Sequence, residues 1–176
     1  MSIEGYTEAL VDFIRVHEAW AAPIVGALAF AESLAFISLL VPAWSILIAI
    51  GALIGGSGIS FWPILVAGAV GAALGDWLSY WVGLKAGPAV ANIWPLSRHP
   101  ELIPRGERFV KMWGTLAIFI GRFFGPLRAS VPLVAGIFAM PFWPFQAANF
   151  SSAFVWAAML LTIGDGIAKI FKLIWA

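Results

Sequence analysis

Two long stretches of this chain carry no ionisable side chain: the 43 residues between Glu32 and Asp76, and the 36 between Arg128 and Asp165. A single helical crossing of a bilayer needs only about 20 apolar residues. Each stretch must therefore cross more than once or fold back. Composition agrees, since 62% of residues are hydrophobic, 11% are charged and the mean hydropathy is +0.96, outside the range of water-soluble domains. The expectation is an all-α polytopic membrane protein, with residues 1–176 forming one membrane domain. A formal charge of +1 gives no sign of a nucleic-acid partner. With no cysteine there are no disulfides, thiolate metal ligands or thiol nucleophiles. Glu4, Glu8 and Asp12 stand where a signal peptide would be basic, so the N-terminus does not read as a signal peptide.

Along residues 1–18, Ile3, Tyr6, Leu10, Phe13 and Ile14 recur at helical spacing opposite Glu4, Glu8, Asp12 and Arg15. The pattern predicts a helix lying on the membrane surface, with a solvated helix of a small cap as the rival. Only 13 uncharged residues then separate Glu18 from Glu32, too few to span. A re-entrant hairpin over 19–58, turning near Glu32 to Pro42 and returning to Gly55-Gly56-Ser57-Gly58, satisfies that limit. Such broken helices are tolerated in a membrane only when buried in protein or lining a wet cavity. A conventional pair of spans enclosing Glu32 is the alternative. Residues 60–85 read as a full span, opened by Phe61-Trp62-Pro63 and closed by Lys85. Gly71, Gly75, Ser79, Gly83 and Gly87 put a small residue at every fourth position, which lets another helix approach to backbone contact. Asp76 and Tyr80 lie beside that file.

Residues 86–112 form a basic connection with a second surface helix entered near Pro104, in which Phe109, Val110 and Trp113 share a face. Ten uncharged residues separate Lys111 from Arg122, and the same length argument predicts a second hairpin over 113–141. Residues 142–168 give a second span, again opened by Phe-Trp-Pro. Glu32 precedes Pro42 by the interval that separates Arg122 from Pro132, and Gly83 and Gly164 each follow their Phe-Trp-Pro proline at the same distance. The expected fold is two inverted repeats, each a surface helix, a re-entrant helical hairpin and a transmembrane helix. The 85–111 connection favours a cytoplasmic side by its lysines and arginines, whereas Lys169 and Lys172 favour the other.

An Arg, Lys or Asp at the centre of an isolated membrane helix costs about 2.5–3.5 kcal/mol on the insertion scale. Glu32, Asp76, Arg122 and Arg128 therefore need partners. One reading makes them a structural ionic network that fixes the hairpins. The other has Arg122 and Arg128 hold an anionic headgroup, since guanidinium donates two parallel hydrogen bonds to phosphate. Glu32 is then a titratable neighbour for proton coupling or gating, and Asp76 a weaker candidate for the same role. His17 and His99 both lie outside the spans, so a histidine-based enzyme or a two-histidine metal site lacks material. Ser130, Ser151 and Ser152 read as helix-packing hydroxyls, and the tryptophans near span ends as interfacial anchors. No enzyme activity, cofactor or metal is expected.

Gly121-Arg122-Phe123, Arg128, Pro132 and Ala135-Gly136 resemble the signature of the DedA family, the SNARE-associated or VTT-domain group of membrane proteins. Glu32 with Pro42 resembles that family's first hairpin, and Gly75-Asp76-x-x-x-Tyr80-x-x-Gly83 with Gly87 resembles its Gly-Asp-x-x-x-Tyr-x-x-Gly helix. The likeness covers nearly the whole chain. Gly125-Pro126 reverses the usual Pro-Gly order, Trp44 stands where several members have a second acid, and Leu84-Lys85 replaces a common arginine. The resemblance implies a bacterial inner-membrane, multi-pass protein that moves phosphate-bearing lipid such as undecaprenyl phosphate or a phospholipid, with a link to proton motive force. Arg122 and Arg128 would bind the headgroup, with Glu32 and Asp76 coupling or gating and Pro42, Tyr80, Pro126 and Pro132 in support. Partners would be membrane lipids and protons, with homo-oligomers open. The rival functions are a proton-coupled cation or small-solute antiporter and a non-transporting scaffold with an internal ionic lock.

Overall fold

The computed structural model describes residues 18–34, 45, 47–52, 60–87, 89 and 102–175. The expected surface helix over 1–18 apart from Glu18, Pro42 with the first bend, the 55–58 turn and the 90–101 part of the basic connection lie outside them. The described residues form six named helices: α1 Glu18–Ser33, α2 Phe61–Ala86, α3 Leu102–Trp113, α4 Thr115–Gly121, α5 Gly125–Ile137 and α6 Phe142–Trp175. A short helical stretch, 47–52, lies between α1 and α2. No strand occurs among the described residues.

Length divides these helices into two groups. At the rise of an α-helix, the 26 residues of α2 and 34 of α6 reach about 39 and 51 Å, beyond a hydrocarbon core of about 30 Å. The 16, 7 and 13 residues of α1, α4 and α5 reach only about 24, 10 and 20 Å. α6 runs past the expected end at 168 to Trp175, and Lys169 pairs with Asp165 one turn earlier at 2.6 Å, a spacing that supports continued helix.

The chain breaks where its residues cannot continue a helix. Gly114, at φ 52°, separates α3 from α4, a backbone region in which glycine carries no Cβ penalty. Arg122 caps α4, and α5 restarts at Gly125 with a proline in its first turn. The bend thus falls at 122–124, while Pro132 lies inside α5. α4 and α5 fold against each other, since a Cβ on Gly121 would sit 3.0 Å from Val131 Cγ2. α3 leans on α5, with Gly106 against Val134. Val110 is buried in the same cluster, while Met112 and Trp113 are exposed.

α2 is the central helix, and its small-residue file makes the contacts the spacing predicts from Gly71 to Gly83, whereas Gly87 lies past the helix end at φ 53° and takes no part in them. Gly71 faces the backbone of Gly26 on α1, and a Cβ on Gly75 would stand 2.7 Å from Ser33 Cβ. Ser79 donates to the carbonyls of Gly75 at 3.0 Å and Ser33 at 3.4 Å. One turn on, Gly83 faces the Leu133 carbonyl of α5, while Gly136 of α5 faces the Tyr80 carbonyl of α2. The same reciprocal crossing recurs between 47–52 and α6. Gly51 faces the Leu161 carbonyl, and Gly164 faces that of Ile48. In both crossings each glycine meets the carbonyl three residues before the other.

Two apolar clusters fill the interior. Val25, Leu47, Ile64, Leu65, Trp156 and Leu161 belong to one, and Tyr80, Ile118, Val131, Val134 and Phe145 to the other. The outward residues of α2, including Trp62, Val66, Val70, Trp77 and Trp81, remain exposed and apolar, as a lipid-facing surface requires.

Candidate functional site

The four charged side chains singled out from the sequence are all buried, and they form two ion pairs. Arg122, 3% exposed, sits at the break after α4 and meets Asp76 of α2, with Nη2 donating to Oδ2 at 2.5 Å. Its Nη2 also donates to Asn149 Oδ1 at 2.7 Å, and its Nε donates to Ser152 Oγ at 3.0 Å. Asn149 is fixed in turn, its amide nitrogen donating to the Ala73 carbonyl at 2.8 Å and to Gln146 Oε1 at 3.1 Å. A buried amide with its donors and acceptor placed orients the guanidinium it faces.

Arg128, 7% exposed, lies on the first half of α5 and pairs through Nη1 with Glu32 at the end of α1. Its Nη2 donates to Ser33 Oγ at 3.3 Å, and its Cζ lies over the ring of Trp156 at 4.2 Å from the centroid. Arg128 also stands within electrostatic reach of Arg122 and Asp76, so the two pairs form one charge-balanced group. Arg122 Nη1, Arg128 Nε and Asp76 Oδ1 are buried without a hydrogen-bond partner among the described residues. Leaving such a group unsatisfied typically costs about 1–3 kcal/mol, and each guanidinium therefore retains an N–H suited to an oxyanion.

The structure thus brings Glu32, Asp76, Arg122 and Arg128 together from α1, α2, the α4–α5 bend and α5. Tyr80, one turn beyond Asp76, instead donates its hydroxyl to the Met140 carbonyl at 2.6 Å and stacks on Phe145 at 4.3 Å. Pro126 opens α5, Pro132 lies within it, and Pro42 is outside the described residues. Sequence reasoning missed Ser33, Asn149 and Trp156, and read Ser152 only as a packing hydroxyl. The signal was on α6, where Asn149, Ser152 and Trp156 follow Phe145 at helical spacing, a polar pair on one stripe of a mainly apolar span. Among the described residues, no three His, Cys, Asp or Glu side chains are grouped as a metal site requires.

Two helices long and apolar enough to cross a bilayer, with shorter helices packed against them and a buried ionic group, describe an all-helical membrane protein. Residues 41–166 match the profile of the VTT domain. The chain belongs to that family, the DedA group of membrane proteins. It is 33% identical over 150 residues to the inner membrane protein YabI of Escherichia coli, covering 85% of this chain and 59% of that protein. An uncharacterized membrane protein of Buchnera aphidicola from Acyrthosiphon pisum is 32% identical over 147 residues, 84% of this chain and 57% of its own. One from Synechocystis is 31% identical over 147 residues, 82% of this chain and 67% of its own. The chain spans less than three fifths of the first two relatives. No solved structure matches it.

Proposed function

We propose that this protein is a transporter of the bacterial inner membrane that translocates a phosphate-bearing lipid, with Arg122 and Arg128 receiving the headgroup. The observation that carries the reading is that both arginines are buried on broken helices, balanced by carboxylates, yet each keeps a hydrogen-bond donor without a partner among the described residues. An enclosed guanidinium with an unspent N–H is a strong site for phosphate oxygen. Glu32 and Asp76 hold the arginines when no headgroup does, and protonation of Glu32 would release Arg128 to a ligand. The name of the E. coli relative supports the inner-membrane location.

The proposed architecture is the inverted repeat, with 19–58 and 113–141 as re-entrant hairpins entering from opposite sides. It is supported by the short lengths of α1, α4 and α5, and by the two glycine crossings of identical layout, Gly83 with Gly136 and Gly164 with Gly51. Each joins the return arm of one hairpin to the span of the other half. Such a plan places a substrate site where broken helices meet, near the midplane.

The closed pairing itself favours a second reading, a scaffold whose arginines only lock the helices, because each guanidinium already holds a carboxylate. Reconstitution separates the two. Purified protein in liposomes with a fluorescent phosphate-headgroup lipid should speed its exchange between leaflets, and folded Arg128→Ala should lose most of that activity while Glu32→Gln alters its rate. If wild type moves no such lipid, or folded Arg128→Ala moves it equally well, the headgroup reading fails.

A further inference from the structure

Trp156 stands apart from the other tryptophans whose side chains are described. Trp20, Trp62, Trp77, Trp81, Trp113 and Trp143 are exposed on outer faces, whereas Trp156 is buried with its ring beneath the Arg128 guanidinium. A guanidinium makes its hydrogen bonds in its own plane and offers its flat face to an aromatic ring. The two kinds of contact therefore do not compete. In Arg128 the edge is divided: Nη1 goes to Glu32, Nη2 reaches Ser33 Oγ, and Nε is buried without a hydrogen-bond partner among the described residues.

We propose that Trp156 is a positioning residue for Arg128. Its indole face keeps the guanidinium in place and oriented while the oxyanion at the guanidinium edge changes from the Glu32 carboxylate to the phosphate of a ligand. That the ligand is a phosphate rests on the proposed function above; that Trp156 holds the cation does not. The need for such a holder follows from the fold. Glu32 is on α1, Arg128 on the short helix α5 and Trp156 on the long helix α6. A buried cation that loses its carboxylate is strongly destabilising unless another partner remains. The ring is that partner, and it blocks no donor.

The test has two arms. In the first, thermal unfolding of the detergent-solubilised full chain is measured for Trp156→Leu and Trp156→Phe, each alone and with Arg128→Met or Glu32→Gln. Trp156→Leu should lower the midpoint more when Arg128 is present than in the Arg128→Met background, and most of all with Glu32→Gln, where Arg128 has lost its charged partner. Trp156→Phe, which keeps an aromatic face, should recover much of the loss. Equal shifts with and without Arg128 overturn the proposal. This arm uses no lipid and stands whether or not the protein transports one.

In the second arm, exchange of the fluorescent phosphate-headgroup lipid is followed in liposomes. Trp156→Leu should raise KM roughly twofold to tenfold, the cost of ordering on binding a side chain that the ring no longer holds, with kcat little changed and Trp156→Phe close to wild type. An unchanged KM in an active Trp156→Leu protein overturns the positioning role while leaving the proposed function intact. If wild type moves no phosphate lipid, it is the proposed function that falls, and the unfolding cycle decides the role of Trp156.

Discussion

Replacing Gly136 by alanine adds one methyl group at the point where α5 crosses α2, and the structure says what that methyl would meet. It would collide with the Tyr80 carbonyl oxygen, and would stand 2.8 Å from Leu84 N and 2.9 Å from Tyr80 C. Ordinary contact begins at 3.4 Å, so relieving the Leu84 N contact alone takes 0.6 Å, the difference between 3.4 and 2.8, and clearing the nearer Tyr80 carbonyl oxygen takes more. The obstructing atoms are backbone, and no side-chain rotation can relieve them. Overpacking of this kind costs about 1–3 kcal/mol, offset by the roughly 1 kcal/mol by which alanine prefers a helix over glycine. Gly136→Ala should therefore lose up to about 2 kcal/mol in net stability. Gly166→Ala is the matched control, since its new Cβ meets nothing within 4 Å, and it should gain up to about 1 kcal/mol. Reversible unfolding of both variants in one detergent, followed by near-ultraviolet circular dichroism, would measure the spread. Should Gly136→Ala prove as stable as Gly166→Ala, the backbone-to-backbone crossing of α2 and α5 is not what joins these helices.

The ionic group and the Tyr80 bond can be tested in the same way. Asp76→Leu removes the counter-charge of Arg122 and should cost about 3–5 kcal/mol, most of it recovered in Asp76→Leu/Arg122→Leu, because an unpaired buried charge costs more than an apolar pair; a double variant as unstable as the single would refute this in an unfolding titration. Tyr80→Phe keeps the ring stack on Phe145 and loses only the hydrogen bond to the Met140 carbonyl. Its unfolding midpoint should fall by the equivalent of about 1 kcal/mol, and a loss as large as that of Asp76→Leu would mean that Tyr80 belongs to the ionic group.

Much of this protein is determined by local sequence. The charge-free runs and the composition are sums over neighbouring residues, and they identify a membrane protein and its two long helices without any tertiary information. The file Gly71, Gly75, Ser79, Gly83 announces a helix packed to backbone contact, because periodicity alone puts small residues on one side. Glu32, Asp76, Arg122 and Arg128 stand out for the cost of a charge in an apolar setting. Local rules were less informative at the α4–α5 bend, where Pro132 drew attention although the chain turns at 122–124 and the proline is carried within α5. They also ended α6 too early, because lysines mark a helix terminus and an i,i+4 pair equally well.

Only the tertiary structure decided which acid meets which arginine, and what else meets them. Glu32 and Arg128 are 96 residues apart, and Asp76 and Arg122 are 46 apart. Their pairing depends on where helices cross, and the crossings are set by glycines that face each other only after folding. The choice of Asn149, Ser152 and Trp156 as partners likewise follows from which stripe of α6 turns inward. Hydropathy decides that the chain enters the membrane, since burial in lipid depends on each segment by itself. A charge already inside the membrane is stabilised by whatever the folded helices bring within hydrogen-bond distance, and that is a property of their packing.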